Sequence, residues 1–385
     1  MKRFSEINVG VVGIGFIGLA HIEALRRIGV NVVGVVGSSP DRARERAELH
    51  DLPPVYDSVE TMASDPKIDA VHIASPNNVH AEQVVSCIDG GKHVVCEKPL
   101  ALTSADSADL VFRAKEANVV NAVCFNLRFY PNCHQAMAMV AQGDIGRPTF
   151  VTGGYLQDWL LLDTDWNWRL VPEEAGQLRA VADIGSHWLD LSQFITGQRI
   201  TDVLADLHTF VPTRKHPKGP VETFSTGGSD EELIEESMSS DDAASIMLRF
   251  EDGARGLVAV SQTAAGRKNS ISIEVDGSDS ALSWFSENPD LLWFGHRGRP
   301  NELLQRDPSL NLPPAARVAG YPAGHVEGYP DTFRALFHEV YSDIASGVPS
   351  DDPTYPTFAD GHDILRVTEA VSRSAGTQQW TQVNR

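Results

Sequence analysis

Along the first 125 positions, apolar residues come as short unbroken runs separated by stretches with helical spacing. The runs at 7–12, 32–36, 70–74, 94–95 and 119–123 are rich in valine and isoleucine. Such runs read as strands buried on both faces, as in a parallel sheet. After the first, Leu19, Ala20, Ile22, Ala24, Leu25 and Ile28 recur at the spacing of one helix face. Further helical patterns cover 41–50, 58–63, the stretch leading to Gly90, and 104–117. This alternation predicts an α/β domain over 1–125, with a doubly wound parallel sheet.

From residue 126 the period changes. One helix is expected at 132–141. Strands follow at 148–156, 200–211, 244–250, 254–263, 269–275, 281–284 and 291–294, some separated by hairpin signals such as Asp252-Gly253 and Asp276-Gly277. The pattern predicts an α+β domain over 126–385 with a large, mostly antiparallel sheet. Residues 212–242 form an insertion whose acidic end, 230–242, reads as a solvated loop. The proline-rich stretch 303–324 reads as irregular. Two amphipathic helices, at 331–346 and 358–375, and a short strand near Trp380 close the chain. In 256–260 apolar residues stand at successive positions, so this strand is expected to be buried on both faces. A lone chain offers little to cover the outer face. The expectation is a homodimer or homotetramer through the C-terminal sheet.

Composition narrows the function. A formal net charge of -20 argues against nucleic acid and anionic membranes as partners. No apolar run reaches membrane-spanning length, and the N-terminal residues lack a signal-peptide pattern. Cys87, Cys96, Cys124 and Cys133 have no metal-site spacing, so they are expected as reduced thiols in a cytoplasmic protein without a metal.

Four stretches carry chemistry. Gly13-x-Gly15-x-x-Gly18 lies between a strand and a helix, the arrangement of a Rossmann dinucleotide turn; a plain tight turn is the alternative. Gly13, Gly15, Phe16 and Ile17 would meet the pyrophosphate at the helix N-terminus. The second strand ends without the acid that usually binds the ribose of NAD. Ser38, Ser39 and Arg42 stand there instead, which favours NADP while leaving NAD open. Ser75, Pro76 and Asn77 would lie by the nicotinamide-side ribose, with Glu97, Lys98 and Asn126 on the same carboxyl edge. At the end of the fourth strand, Lys98 is placed to orient a substrate hydroxyl or to stabilise an oxyanion. The third stretch, 153–169, interleaves Tyr155, Trp159, Trp166 and Trp168 with Gln157, Asp158 and Arg169, as sugar sites do; core or interface aromatics are the alternative. In the fourth, Asp183 and His187 stand four residues apart, a spacing that puts them on one helix face. An oriented carboxylate–imidazole pair suits general base catalysis, although such a pair is also common as a structural feature.

Taken in order, Gly13-x-Gly15-x-x-Gly18, Glu97-Lys98-Pro99, Asn126-x-Arg128-Phe129 and Asp183-x-x-x-His187 resemble the Gfo/Idh/MocA oxidoreductases over nearly the whole chain. The segment Tyr155-Leu156-Gln157-Asp158-Trp159 resembles the levoglucosan dehydrogenase branch of that family. The resemblance implies a catalytic triad of Lys98, Asp183 and His187. It also implies reversible oxidation of a secondary hydroxyl of a sugar or polyol, with hydride passing to NAD or NADP. Asn126, Arg128, Tyr155, Gln157, Trp168 and Arg169 would line the substrate pocket, with Arg169 also near the cofactor. An NAD-dependent glycosidase and a non-catalytic NAD(P)-binding regulator share the fold and stand as alternatives. The family often carries a glycine run ahead of the aspartate. Here that stretch is Ala175-Gly176-Gln177-Leu178-Arg179-Ala180, a departure from the pattern.

Overall fold

Five short strands open the chain: β1 (Asn8–Val12), β2 (Asn31–Val36), β3 (Ala70–Ile73), β4 (His93–Cys96) and β5 (Asn121–Val123). The helices among them are α1 (Phe16–Ile28), α2 (Pro40–Leu49), α3 (Val59–Ser64), α4 (His80–Asp89) and α5 (Ser104–Glu116). This computed structural model describes residues 1–218 and 233–384. All strand pairs in the first sheet are parallel, in the order β2-β1-β3-β4-β5. Val9, Val11, Val71, Ile73, Val94 and Val95 are fully buried, which is why these strands read as unbroken apolar runs. Local chemistry sets where several helices begin. Ser39, Ser58 and Thr103 each accept a backbone N–H from the first turn of α2, α3 and α5. The order of the strands reverses between β1 and β3. A ligand crevice lies at that switch point in open α/β sheets.

The second part begins with α6 (Pro131–Ala141) and β6 (Pro148–Leu156), then α7 (Pro172–Ala175). A π-helical stretch, Val181–Gly185, runs directly into α8 (Ser186–Thr196). Next come β7 (Ile200–His208), β8 (Thr213–Pro217), β9 (Leu233–Ser237), β10 (Ala243–Phe250), β11 (Arg255–Ser261), β12 (Ser270–Gly277), β13 (Ser280–Phe285), β14 (Leu291–His296) and β15 (Glu302–Gln305). Helices α9 (Pro313–Val318), α10 (Tyr329–Ser346) and α11 (Phe358–Thr377) and the short β16 (Thr381–Gln382) complete the chain. Nine strands form one sheet, ordered β15-β14-β13-β12-β6-β11-β10-β7-β16, with only the β6–β11 pair parallel. Its inner face carries Val151, Val203, Ile246, Val258 and Ile273, all buried. The Trp188 indole of α8 reaches this face and donates to the Ser272 carbonyl at 2.8 Å. A Cβ on Gly153 would stand 2.8 Å from the Trp188 indole nitrogen, so glycine permits the close approach.

The chain divides into two compact units. One is Met1–Phe129 with Tyr329–Leu365; the other is Tyr130–Gly328 with Arg366–Arg385. In this division Tyr329–Leu365 is grouped with the first unit. Chain order does not reveal that α10 returns to the first unit, where Tyr341 bonds His72 of β3 at 2.9 Å.

Three expectations change. Strand β11 is buried on one face only: Gly256, Val258 and Val260 are buried, whereas Leu257 is 45% exposed and Ala259 is exposed. Small and apolar residues on an open face made it look doubly buried. The stretch 303–324 is not irregular throughout, since β15 ends in it and α9 lies inside it. Arg306 organises it, donating to Asp290 and to the carbonyls of Tyr321, Pro322 and His325. In the insertion, β8 and β9 pair as an antiparallel ribbon. Residues 219–232 lie outside the described residues. The end of the acidic run is not solvated: Asp241 and Asp242 are buried against Arg179 and Arg214. Net charge along a short stretch does not report partners far away in sequence.

Candidate active site

In the first unit the glycine turn joins β1 to α1. Gly13 has φ +84, and a Cβ there would strike the Ala74 carbonyl, so glycine is required by both conformation and space. A Cβ on Gly15 would meet nothing within 4 Å. The backbone is thus bare and open in front of a helix N-terminus that no side chain caps. That cradle fits a dinucleotide pyrophosphate. Phe16 is half-exposed at the rim and Ile17 follows it in the first helical turn.

At the end of β2, the Ser39 hydroxyl is committed to capping α2, accepting the Arg42 N–H at 3.4 Å. Ser38 and the Arg42 side chain are exposed. Arg46 was missed by the sequence reading. Its Nε donates to the Ile14 carbonyl at 2.9 Å, which brings its guanidinium to the glycine turn. Arg46 lies one helical turn beyond Arg42, a spacing that offered the only sequence signal.

The loop after β3 places Ser75, Pro76 and Asn77 together. The Ser75 hydroxyl donates to Gln83 at 2.6 Å, and Asn77 starts a short 3-10 turn. His80 is fully buried, with one ring nitrogen 2.9 Å from the Ser75 carbonyl and the other 2.8 Å from the Pro99 carbonyl. It ties the loop after β3 to the loop after β4. Burial lowers its pKa, against the pull of those two carbonyls. At the end of β4, Glu97 is buried and Lys98 is half-buried. Glu97 accepts the Lys98 N–H at 3.2 Å and lies 3.1 Å from His21 Nε2. Asn126 gives its amide to Thr332 at 2.8 Å, and Arg128 pairs with Asp360 at 3.0 Å.

The second unit holds the rest of the chemistry. The carboxylate of Asp183 accepts from Arg169 Nε at 3.1 Å and from Gln262 Nε2 at 2.8 Å. Arg169 in turn lies over the Trp168 ring, 4.5 Å from its centroid. His187 sits in the first turn of α8, buried, with the Tyr155 ring 6.3 Å from its own. Burial and the nearby Asp183 charge push the Tyr155 phenol far above its ordinary range, so it stays a neutral donor. Its hydroxyl donates to Asn269 at 2.7 Å. Gln157 donates to the same Asn269 oxygen at 2.8 Å and accepts the Trp159 indole N–H at 2.7 Å. Aromatic rings, amides, a carboxylate, an imidazole and an arginine thus share one patch. Asn269 and Gln262 are the members the sequence reading missed. Gln262 follows β11 and Asn269 precedes β12, far along the chain, and neither belongs to a motif.

A buried cluster fixes this patch from behind. The Asp241 carboxylate takes the backbone N–H groups of Arg179 and Val181 at 2.7 and 2.8 Å. Asp242 bonds both Arg179 and Arg214. Arg214 also holds the carbonyls of Leu160 and Leu162, each at 2.8 Å. The N–H of Asp183 completes the frame, donating to the Arg179 carbonyl at 2.7 Å.

A parallel sheet with a bare glycine turn at its switch point is the architecture of a dinucleotide-binding domain, and the second unit bears this polar patch. Residues 7–125 match the model of an oxidoreductase family with an NAD-binding Rossmann fold, and residues 133–283 match the Gfo/Idh/MocA C-terminal domain. The chain belongs to the Gfo/Idh/MocA family. It is 30% identical to levoglucosan dehydrogenase of Pseudarthrobacter phenanthrenivorans, with 98% of each chain covered. It is 29% identical to myo-inositol 2-dehydrogenase of Thermotoga maritima, covering 73% of this chain and 75% of that one. A solved structure of levoglucosan dehydrogenase with NADH and L-sorbose superposes with a TM-score of 0.87, at 29% identity and with all of both chains covered.

Proposed function

We propose that this protein reversibly oxidises a secondary hydroxyl of a sugar or polyol. The observation that carries this reading is the patch around Asp183 and His187, walled by Tyr155, Trp159 and Trp168 and edged by amides suited to hydroxyl groups. When bound, the nicotinamide supplies the hydride acceptor. His187 takes the hydroxyl proton. Asp183, fixed by Arg169 and Gln262, favours the cationic imidazole that results. Lys98 donates a hydrogen bond to the substrate oxygen as it becomes a carbonyl. Tyr155, Gln157, Asn126, Arg128, Trp168 and Arg169 complete the set of substrate-facing residues in this reading.

The missing acid after β2, with Ser38, Arg42 and Arg46 near the turn, supports NADP binding at least as tight as that of NAD. The exposed face of the large sheet, with Phe150, Met247 and Leu257 each more than 40% exposed, supports a homodimer or homotetramer through that face. Light scattering tests it: a mass near 41.9 kDa in micromolar solution refutes the assembly.

The reaction is tested by absorbance of NADH or NADPH formed from NAD or NADP, against a panel of sugars and polyols. Glycoside cleavage is followed in parallel. Cofactor reduction with one class of substrate is expected. Glycoside cleavage without net cofactor reduction, or no reduction with any substrate, overturns the proposal.

A further inference from the structure

Beneath Lys98 the first unit buries a file of side chains that the proposed reaction does not use. Tyr341 on α10, His72 on β3 and His21 on α1 are all fully buried. The Tyr341 hydroxyl is 2.9 Å from His72 Nε2, His72 Nδ1 is 3.0 Å from His21 Nδ1, and His21 Nε2 is 3.1 Å from a Glu97 oxygen. Phe333 and Phe337 flank the imidazoles, with ring centroids 4.6 to 5.3 Å away. Each link needs one proton. With both imidazoles neutral, a single polarity places every proton between a donor and an acceptor. Tyr341 O–H points to His72 Nε2, His72 Nδ1–H to His21 Nδ1, and His21 Nε2–H to the Glu97 carboxylate. The opposite polarity is available only with a proton on Glu97. Burial and the neighbouring His21 hold the His72 pKa well below its ordinary value, consistent with a neutral ring. The Cys124 thiol, 3.7 Å from His21 Nε2, is pushed up by burial and stays protonated. The other Glu97 oxygen takes the backbone N–H of Lys98.

We propose that Tyr341, His72 and His21 are positioning residues: a polarised hydrogen-bond chain that keeps Glu97 ionised and oriented, and through it sets the backbone that carries Lys98. A carboxylate accepting two donors keeps its charge in a dry site, whereas one that loses a donor tends to take up a proton. The role rests on Lys98 acting at the substrate oxygen, but the chain's polarity is tested without any turnover.

Nitrogen NMR of protein labelled only at histidine reads the tautomers, with His21→Gln and His72→Phe used to assign the signals. His21 is expected to carry its proton at Nε2 and His72 at Nδ1, with His72 neutral down to about pH 6, below which an ordinary imidazole is charged. His72 protonated at Nε2, or a charged His72 ring, overturns the polarity. So does a stoichiometric metal ion in the purified protein, because His21, Glu97 and Cys124 place their ligand atoms within 4.8 Å of one another. Kinetics then test the role. His21→Gln keeps an N–H near Glu97 and should hold kcat within about threefold. His21→Leu removes it and should lower kcat by about tenfold or more, with the acid limb of the profile moved to higher pH. Equal losses in both variants at matched Tm, or wild-type kcat in His21→Leu, overturn the proposal. Lys98→Ala separates the two layers. Wild-type turnover in that variant removes the catalytic reading while leaving the tautomer result standing.

Discussion

Behind Lys98 the first unit places a phenol and two imidazoles in single file. Behind Asp183 the second places two arginines and two aspartates. In the first case, fully buried rings share protons through hydrogen bonds of 2.9 to 3.1 Å and end on one carboxylate. In the second, Asp241 holds two backbone N–H groups and Asp242 bridges two guanidiniums, one of which holds the Leu160 and Leu162 carbonyls. The difference follows from what each must hold. The glycine turn and the ends of β3 and β4 are already fixed by parallel pairing, so only the tip of Glu97 needs orienting. The approach to α8 is irregular, passes through a π-helical stretch, and has no side-chain cap of its own. Charged anchors that satisfy several backbone groups at once hold such a segment, despite the desolvation they require. Without a glycine run, the loop before Asp183 is tied through the Arg179 side chain to the Asp241 carbonyl and to Asp242.

Removing the central charge should give the largest effect. Asp242→Ala leaves Arg179 and Arg214 buried without their shared carboxylate and should cost about 3–5 kcal/mol in urea unfolding. His72→Phe in the file behind Lys98 should cost only about 1–3 kcal/mol. Equal losses would break the contrast between the two regions.

For the chemistry, His187→Ala should lower kcat roughly 100-fold, and sugar oxidation should lose its ascending pH limb. A limb that survives unchanged assigns the base elsewhere.

Acid should probe the first unit selectively. His72, His80 and His93 all have pKa values lowered mainly by burial. The unfolded chain therefore binds protons first as pH falls below about 6.5. Their contribution to stability is complete above that pH and is lost as pH drops towards the depressed folded values. The Tm of the wild type should fall between about pH 7 and 5. His72→Phe should fall less steeply, and a slope identical to wild type would show that His72 is not buried neutral.

The smallest effect concerns the cofactor. A Cβ on Gly37 would stand 2.8 Å from Ala43 Cβ, so an acid is better placed at exposed Ser38. Ser38→Asp should weaken NADP relative to NAD by about tenfold through repulsion of the 2′-phosphate. Unchanged NADP affinity would place the ribose away from Ser38.

Where a residue's role depends on near neighbours in sequence, the chain alone determined it. The parallel strands are continuous apolar runs because both faces are covered. Ser39, Ser58 and Thr103 mark helix starts because a cap acts within three residues. β6 is read at its observed ends, 148–156, from alternation alone. The glycine turn and the Glu97-Lys98-Pro99 strand end are likewise local. Tertiary structure alone decided the partners drawn from far along the chain. Asp241 meets Arg179 across 62 positions, and Gln262 meets Asp183 across 79. His72 meets Tyr341 across 269. An acidic run looks solvated until a buried arginine from another segment reaches it. A histidine in an apolar strand looks like an ordinary core residue until a second histidine and a distant tyrosine are found on its two ring nitrogens. Local periodicity carries no record of such pairings, because they are stabilised by the geometry of folded segments whose order in space the sequence pattern does not specify.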